Sequence, residues 1–240
     1  MEKGLVYLIP TVLDEKGFNV IPLYITEAIR HSQVFFAENE RTARRFLKQF
    51  WRERMPAGEE IVIDQYEWFT IHKAEEEVRE TFRQKLKEGK NIAIISEAGC
   101  PGVADPGQLL VAVAQEMNAT VVPLVGPSSI LLALMASGMN GQQFRFLGYL
   151  PIDSQERMKA IKELETDSKK NNCTEIFIET PYRNNQLLEV ILKHAMPSSR
   201  LCIAVDLTGE KEWIKTKSVS EWRKEQIDIH KRPAIFLLMA

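Results

Sequence analysis

The segment 96–107 constrains the fold of this chain more than any other, because glycine and proline interrupt an otherwise regular alternation. It reads Ser-Glu-Ala-Gly-Cys-Pro-Gly-Val-Ala-Asp-Pro-Gly and follows the apolar run 91–95, which predicts a buried strand. Residues 108–117 then predict a helix, with Asp105 at its N-cap and Pro106 in its first turn. Such a loop at the carboxyl end of a parallel strand is where open α/β sheets bind small ligands.

The rest of the chain continues this alternation of strand-like apolar runs and helical patterns, which predicts an α/β fold with mostly parallel or mixed sheets. Strands are expected at residues 5–9, 34–37, 60–64, 91–95, 120–125, 144–150, 175–179, 201–206, 213–217 and 234–239. Helices are expected at residues 25–30, 42–51, 73–88, 108–117, 130–136, 155–165 and 184–194. The break at Gly126 favours two α/β domains, 1–125 and 126–240, with a ligand cleft between them.

Composition and charge narrow the classes of function. The 240 residues carry a net charge of −2, so no global basic field favours nucleic acid, although a local basic patch is compatible with it. The three separated cysteines argue against a disulfide framework or a zinc site, and the four histidines lack metal-ligand spacing. No apolar run reaches the roughly 18 residues that a membrane span needs, and the N-terminus does not resemble a signal peptide. We therefore expect a soluble, cytoplasmic protein without a metal.

Several common catalytic motifs are missing from the sequence. There is no G-x-G-x-x-G after the first strand, no P-loop and no G-x-S-x-G nucleophile elbow. Two successive strand–loop–helix units remain, at 96–117 and 120–136, and their loops bring small residues and helix N-termini to one sheet edge. Such an edge can bind a carboxylate or a phosphate. An ordinary strand-to-helix connection is the alternative interpretation of each loop.

An ordered series of motifs gives this chain a family resemblance. Its members are residues 96–107, Val-Gly-Pro-Ser-Ser at 125–129, Ala-Ser-Gly at 136–138, Phe-Leu-Gly-Tyr-Leu-Pro at 146–151, Glu-Thr-Pro-Tyr-Arg at 179–183 and Ala-Val-Asp-Leu-Thr at 204–208. Over nearly the whole chain this series resembles the tetrapyrrole methylase superfamily of class III S-adenosylmethionine (SAM) methyltransferases. Within it, the chain looks like a divergent short form of the branch that methylates a cytidine ribose 2′-hydroxyl in small-subunit ribosomal RNA.

The resemblance implies two α/β domains, a homodimer, and SAM as the cofactor in the cleft between the domains. By motif match, the implied cofactor-binding residues are Pro10, Ala98, Gly99, Cys100, Pro101, Val103, Ser128, Ser129, Leu147, Tyr149, Leu150 and Pro151. Backbone contacts suit methyl transfer, because the sulfonium loses its charge in the transition state and a carboxylate beside it would stabilise the reactant more.

The implied acceptor side departs from the pattern of the rRNA branch at polar positions. That branch commonly reads Glu-Asp-Thr-Arg where this chain has Glu-Asn-Glu-Arg at 38–41, and it often has His where this chain has Tyr182. It also carries a His-x-His-Asn-Glu stretch, of which this chain keeps Glu75 and a displaced His72. The acceptor therefore stays open between ribosomal RNA and a tetrapyrrole or other small molecule. A SAM-binding module without catalysis is the third alternative.

Two carboxylates are the candidate catalytic bases, since a ribose hydroxyl is a very weak acid and needs a base within hydrogen-bond reach. Glu38 and Glu179 each follow a predicted strand, and ion pairs with Arg41 and Arg183 are the structural alternatives. The candidate substrate-binding residues are Arg41, Arg44 and Arg183. The first two belong to a basic helix face, which can track phosphates or be merely solvated. This face consists of Arg41, Arg44, Arg45 and Lys48.

Overall fold

A computed structural model describes residues 4–71 and 75–240, and the side chains of these residues except 75–77. His72 and the predicted helix start at Lys73 lie outside the described residues, as does the side chain of Glu75. The chain divides into two compact units, the first ending at Ser128 and the second spanning Ser129–Ala240. Each unit has its own sheet.

The described residues of the first unit form a five-stranded sheet flanked by helices. Its strands are β1 (Val6–Ile9), β2 (Val34–Ala37), β3 (Glu67–Thr70), β4 (Ile92–Ile95) and β5 (Val121–Pro123). Its α-helices are α1 (Ile25–His31), α2 (Glu40–Arg54), α3 (Glu75–Lys87) and α4 (Gln108–Glu116). The strand order is β3-β2-β4-β1-β5 and every pairing is parallel, so the carboxyl ends of all five strands lie on one edge.

Burial on both faces explains why the central strands of this sheet are continuous apolar runs. Every residue of β2 and β4 is buried. One face packs in a cluster with α1 and α2, and the other packs in a cluster with α3 and α4. Helix α2 is strongly amphipathic, because its buried residues lie on one side and its charged residues on the other. The buried residues of α2 are Ala43, Phe46, Leu47, Phe50 and Trp51.

Two local sequence predictions in this unit are wrong. The strand expected at 60–64 is not formed, and the chain makes a 3-10 turn at Ile63–Gln65 before β3 begins at Glu67. Aromatic stacking explains why the strand forms at 67–70 and not at 60–64, since the register places Phe69 beside Phe36 with ring centroids 5.0 Å apart. The strand therefore forms where aromatic side chains meet the neighbouring strand.

The predicted cap of α4 is also wrong, although the helix begins at Gln108 as predicted. The N-cap position belongs to Gly107, not Asp105, so Pro106 lies outside the helix. Ala104 has a φ of 63° and Gly107 a φ of 118°, and these left-handed residues keep the chain out of the helix until residue 108.

The described residues of the second unit form a mixed sheet. Its strands are β6 (Phe144–Tyr149), β7 (Thr174–Ile178), β8 (Arg200–Val205), β9 (Trp213–Ser218) and β10 (Ala234–Met239). Its α-helices are α5 (Ser129–Ser137), α6 (Ser154–Asn171), α7 (Asn184–His194) and α8 (Val219–Trp222). The order is β6-β7-β10-β8-β9, in which β6 and β7 pair in parallel and the other pairs are antiparallel. The predicted α/β fold with parallel and mixed sheets is confirmed.

None of the helices in the described residues combines the length and the apolar character needed to cross a bilayer.

Candidate functional site

The loops that follow β1, β4 and β5 meet at the carboxyl edge of the first sheet. The N–H of Thr11 donates to the carbonyl of Gly99 at 2.9 Å, and the Thr11 hydroxyl donates to the carbonyl of Ser96 at 3.4 Å. The Cys100 thiol contacts the carbonyl of Pro127 at 3.5 Å. Parallel pairing thus brings together the parts of the predicted cofactor site that lie in the first unit.

Two glycines make this convergence possible. A Cβ atom on Gly126 would lie 2.0 Å from the Cβ of Pro10, so the loops after β1 and β5 approach more closely than any side chain allows. Gly99 has a φ of 74°, and a Cβ there would lie 3.3 Å from both a Leu13 methyl group and the Pro127 carbonyl. The result is a tight cradle made mostly of backbone.

This cradle has hydrogen-bond donors to offer a ligand. Within the part of the chain that the structure describes, no residue accepts a hydrogen bond from the backbone N–H of Gly99 or of Cys100. Gly99 is nevertheless buried, and a buried N–H group without an acceptor is rare in folded proteins. Donors of this kind fit the carboxylate or the adenine edge of SAM, which both accept hydrogen bonds. Burial raises the pKa of the Cys100 thiol, which favours the neutral form of that side chain.

The remaining predicted cofactor residues fall into two groups. Pro101 is buried and Val103 exposed in the loop after β4, while Ser128 ends the first unit. The second unit contains Ser129 at the start of α5 and the other residues at the end of β6, where Gly148 interrupts the register with β7. Those other residues are Leu147, Tyr149, Leu150 and Pro151. Tyr149 is largely exposed and Leu150 is buried.

Three carboxylates lie together at the ends of β2 and β4. Glu38 Oε2 accepts a hydrogen bond from the backbone N–H of Glu97 at 2.9 Å, and Glu97 Oε1 accepts one from the Thr42 hydroxyl at 3.2 Å. Burial and then the negative charges of Glu38 and Glu97 raise the pKa of Asp105 to about 6, although a hydrogen bond from Ser96 opposes this shift. The ion pair suggested between Glu38 and Arg41 is not present among the described residues.

A cavity of about 510 Å³ adjoins the carboxyl edge of the first sheet. Thr11, Glu97 and Ala98 line it from the strand ends, and Phe18 and Phe46 contribute apolar surface. The sequence analysis did not identify Glu97 as a site residue, and it assigned Asp105 to the N-cap of a helix. The position of Glu97 just after a buried parallel strand, like that of Glu38, was the signal that could have identified it.

Arg44 is occupied by contacts within the first unit. Its Nε donates to Glu40 at 2.8 Å, and a terminal nitrogen donates to Asp64 at 2.7 Å. Its guanidinium lies over the Trp68 ring, 4.8 Å from the ring centroid. Arg41, by contrast, is exposed and has no ion-pair partner in the described part of the chain. The two arginines, which the sequence analysis treated alike, therefore differ: the charge of Arg44 is neutralised by described residues of the unit, and that of Arg41 is not.

Glu179 lies at the end of β7 in a buried ionic cluster of the second unit. Its side chain is 1% exposed and accepts hydrogen bonds from Arg183 at 2.7 Å, Arg157 at 3.4 Å and the N–H of Thr180 at 2.7 Å. Arg157 is itself buried and donates to the carbonyl of Pro151 at 2.7 Å. The ion pair proposed as the structural alternative for Glu179 and Arg183 is thus present. Arg157, which the sequence analysis missed, connects them to the end of β6.

The described residues contain no group of three or more histidine, cysteine, aspartate or glutamate side chains arranged to hold a metal ion.

Comparisons with known proteins cover most of the chain. The family model of the tetrapyrrole (corrin/porphyrin) methylases matches residues 21–222. A ribosomal RNA small subunit methyltransferase I from Escherichia coli O157:H7 is 35% identical over 174 residues, which are 71% of this chain and 59% of that protein. The protein of the same name from Buchnera aphidicola is 28% identical over 240 residues, covering 98% of this chain and 78% of that relative.

A solved structure shares the fold. The crystal structure of diphthine synthase aligns with 98% of this chain and 89% of its own, with a TM-score of 0.68 and 12% identity. At that identity the likeness concerns the fold alone. The chain also spans only about three fifths of the length of several of the sequence relatives that it matches.

Proposed function

Because this chain belongs to the tetrapyrrole (corrin/porphyrin) methylase family, we propose that it transfers a methyl group from SAM to a ribose 2′-hydroxyl of small-subunit ribosomal RNA. The observation that carries the proposal is the match, over most of the chain, to relatives named ribosomal RNA small subunit methyltransferase I. The backbone cradle at the carboxyl edge of the first sheet supports it, since its donors and its lack of charge suit SAM.

SAM supplies a methyl group activated by a sulfonium, whose charge disappears as the methyl group leaves. The N–H groups of Gly99 and Cys100 are proposed to bind the hydrogen-bond acceptors of SAM. Pro10 and Gly126 hold these loops in place through their close packing. Alignment of donor and acceptor is the main catalytic contribution of such a site, because a well-oriented pair avoids most of the entropic cost of the reaction. The other proposed contacts are Ala98, Pro101, Val103, Ser128, Ser129, Leu147, Tyr149, Leu150 and Pro151.

Glu38 is the proposed base in the first unit. Its Oε2 is oriented by the N–H of Glu97, which leaves the other carboxylate oxygen to accept the proton of the hydroxyl as the new O–CH₃ bond forms. Glu179 is the weaker candidate, because Arg157, Arg183 and the backbone already occupy its oxygens. In this arrangement Arg41 is better placed than Arg44 or Arg183 to bind substrate phosphate, since the latter two are engaged in ion pairs.

We also propose that the chain acts as a homodimer. Leu131 and Met135 of α5 are exposed large apolar residues spaced four apart, and contiguous apolar surface of this kind is typical of protein interfaces. Sedimentation equilibrium of the purified protein tests this point. A mass of one chain at micromolar concentration would contradict it.

A methyltransferase for a tetrapyrrole or another small molecule is the second candidate function. The apolar surface that Phe18 and Phe46 contribute to the cavity of about 510 Å³ favours it. A cavity of that volume is within the range of small-molecule sites.

The decisive experiment combines a binding and a transfer measurement. Calorimetry with S-adenosylhomocysteine first establishes whether the folded protein binds the cofactor product. Tritiated SAM is then supplied with small ribosomal subunits that lack the methyl group, or with a tetrapyrrole. Label in the ribosomal RNA supports the first function, and label in the tetrapyrrole supports the second. Binding without transfer to either would indicate a SAM-binding module, and no binding would contradict the proposal.

A further inference from the structure

The exposed face of α2 carries four cations in one line. Arg41, Arg45, Lys48 and Arg52 follow each other at spacings of four, three and four residues, which places them on one side of the helix. All four are exposed, and the line extends about 16 Å at the helical rise. We call these four residues the basic stripe.

The acidic side chains near α2 leave the basic stripe largely unneutralised. Arg44, which lies off the stripe, takes up both Glu40 and Asp64. Arg52 approaches Glu53 only to 3.9 Å. Among the described residues, the other three members of the stripe have no ion-pair partner. Like charges at these spacings oppose each other along a helix, so an anionic ligand would relieve a repulsion that the fold leaves in place.

The basic stripe opens into the cavity beside the candidate cofactor loop. Arg45 and Gln49 line both the shallow depression along α2 and the cavity of about 510 Å³. The same cavity extends to Thr11 and Ala98 at the ends of β1 and β4. A linear array of cations on the surface therefore leads, through Arg45, to an open cavity next to the strand ends.

We propose that a single-stranded RNA segment lies along the basic stripe and that its acceptor nucleotide enters this cavity, with Arg45 bound to the phosphate at the entrance. The inference rests on the proposed function, and it adds the surface and the strand path. Phosphates provide the complementary charge, because cations on a protein surface gain affinity for nucleic acid by releasing condensed counterions. A single strand fits better than a duplex, since an unstacked nucleotide can leave the strand and enter a pocket.

Gln49 also has a part in this arrangement. Its amide nitrogen donates to Glu53 Oε1 at 2.9 Å, and the same oxygen lies 3.9 Å from Arg52 at the end of the stripe. Glu97 lines the same cavity beside the strand ends, and Glu15 and Lys16 line it too. A strand therefore meets cations at the entrance and Glu97 beside the strand ends, which favours a phosphate at the entrance and a hydroxyl next to Glu97.

The test compares three variants with the unaltered protein. The first combines Arg45→Gln, Lys48→Gln and Arg52→Gln, the second is Arg45→Gln alone, and the control is Lys169→Gln, which removes an exposed cation from the second unit. Affinity for a fluorescein-labelled single-stranded RNA oligonucleotide is measured by anisotropy at several salt concentrations. S-adenosylhomocysteine affinity and the thermal midpoint are measured in parallel to show that each variant is folded.

The triple variant is expected to bind the RNA about tenfold or more weakly and to lose about 2 from the slope of log K against log salt, since three phosphate contacts are removed at about 0.7 each. Arg45→Gln alone is expected to lower methyl transfer to ribosomal RNA more than it lowers RNA affinity, because the Arg45 side chain is proposed to position the acceptor nucleotide. The control is expected to match the unaltered protein.

Two outcomes overturn the inference, and they are distinguishable. Unchanged RNA affinity and salt slope in the triple variant, with methyl transfer intact, would reject the basic stripe while the proposed function stands. If the unaltered protein binds S-adenosylhomocysteine but neither binds RNA nor transfers a methyl group, the proposed function is rejected. The proposal that RNA lies along the basic stripe is then rejected with it.

Discussion

Glu38 Oε2 accepts the backbone N–H of Glu97 at 2.9 Å, so a side chain after one strand fixes the backbone after its neighbour. The strands concerned, β2 and β4, are paired in parallel, and the bond spans 59 residues of sequence. It holds the start of the candidate cofactor loop against the carboxylate of the proposed base. The candidate cofactor loop and the proposed base are therefore joined within the first unit.

Substituting Glu38→Gln tests the proposed base. The amide oxygen of glutamine can still accept the N–H of Glu97, so the loop and the S-adenosylhomocysteine affinity are expected to stay unchanged. Methyl transfer is expected to fall by about 10²-fold or more, because the proton acceptor is removed. The measurement is tritium incorporation under single-turnover conditions, with the exposed Glu60→Gln as a control. Full activity in Glu38→Gln would show that another group, such as Glu97, accepts the proton.

Substituting Gly126→Ala tests the backbone cradle. The new Cβ would overlap Pro10 at 2.0 Å, so the loops after β1 and β5 must separate. We expect a loss of about 1–3 kcal/mol in the free energy of unfolding and a clear loss of S-adenosylhomocysteine affinity by calorimetry. Gly141→Ala is the matched control, since nothing lies within 4 Å of its added Cβ. An unchanged S-adenosylhomocysteine affinity in Gly126→Ala would show that the backbone cradle does not bind the cofactor.

The carboxyl group of Asp105 predicts a pH dependence of stability. Its pKa in the folded state is raised to about 6 from the ordinary value of 3.8 for aspartate, so the folded state binds more protons than the unfolded state between these two values. Asp105 therefore reduces stability as pH rises from about 4 to about 6, and the reduction is complete above that window. Asp105→Asn is expected to stabilise the protein at pH 7.5 by about 1 kcal/mol, a value discounted for solvent screening of a half-buried group.

Urea denaturation at pH 4, 5, 6 and 7.5 measures this effect. The difference between Asp105→Asn and the unaltered protein should shrink as pH falls and vanish near pH 4. A difference that is constant across the range would mean that the substitution acts through packing and not through the charge. Glu60→Gln again provides an exposed carboxylate for comparison.

The buried cluster around Glu179 predicts which substitution harms the second unit. Glu179→Gln leaves the buried Arg157 without its anion, and we expect a loss of about 3 kcal/mol in the free energy of unfolding. Arg183→Gln is expected to cost about 1 kcal/mol or less, since that side chain is partly exposed and Glu179 keeps Arg157. Denaturant unfolding measures both. Unaltered stability of Glu179→Gln combined with lost methyl transfer would favour the catalytic role instead.

The regular part of the fold could be predicted from the sequence, because it depends on patterns among neighbouring residues. The runs in β2 and β4 are apolar at every position, as strands buried on both faces must be. The prediction failed at β3, where all four residues are only partly buried and the decisive interaction is stacking on β2, a strand that is distant in sequence. It failed again at the cap of α4, where the left-handed backbone of Ala104 and Gly107 keeps Asp105 and Pro106 outside the helix.

The sequence by itself determined the alternation of strands and helices, the small residues of the loop after β4 and the residue types available at the strand ends. Only the tertiary structure decided which charges are neutralised: Arg44 by Asp64, Glu179 by Arg157, and Arg45 by no described residue. The physical reason is the range of each interaction. Hydrophobic periodicity is a property of neighbouring residues, whereas an ion pair or a carboxylate bound to a backbone N–H joins positions that only the folded sheet brings together.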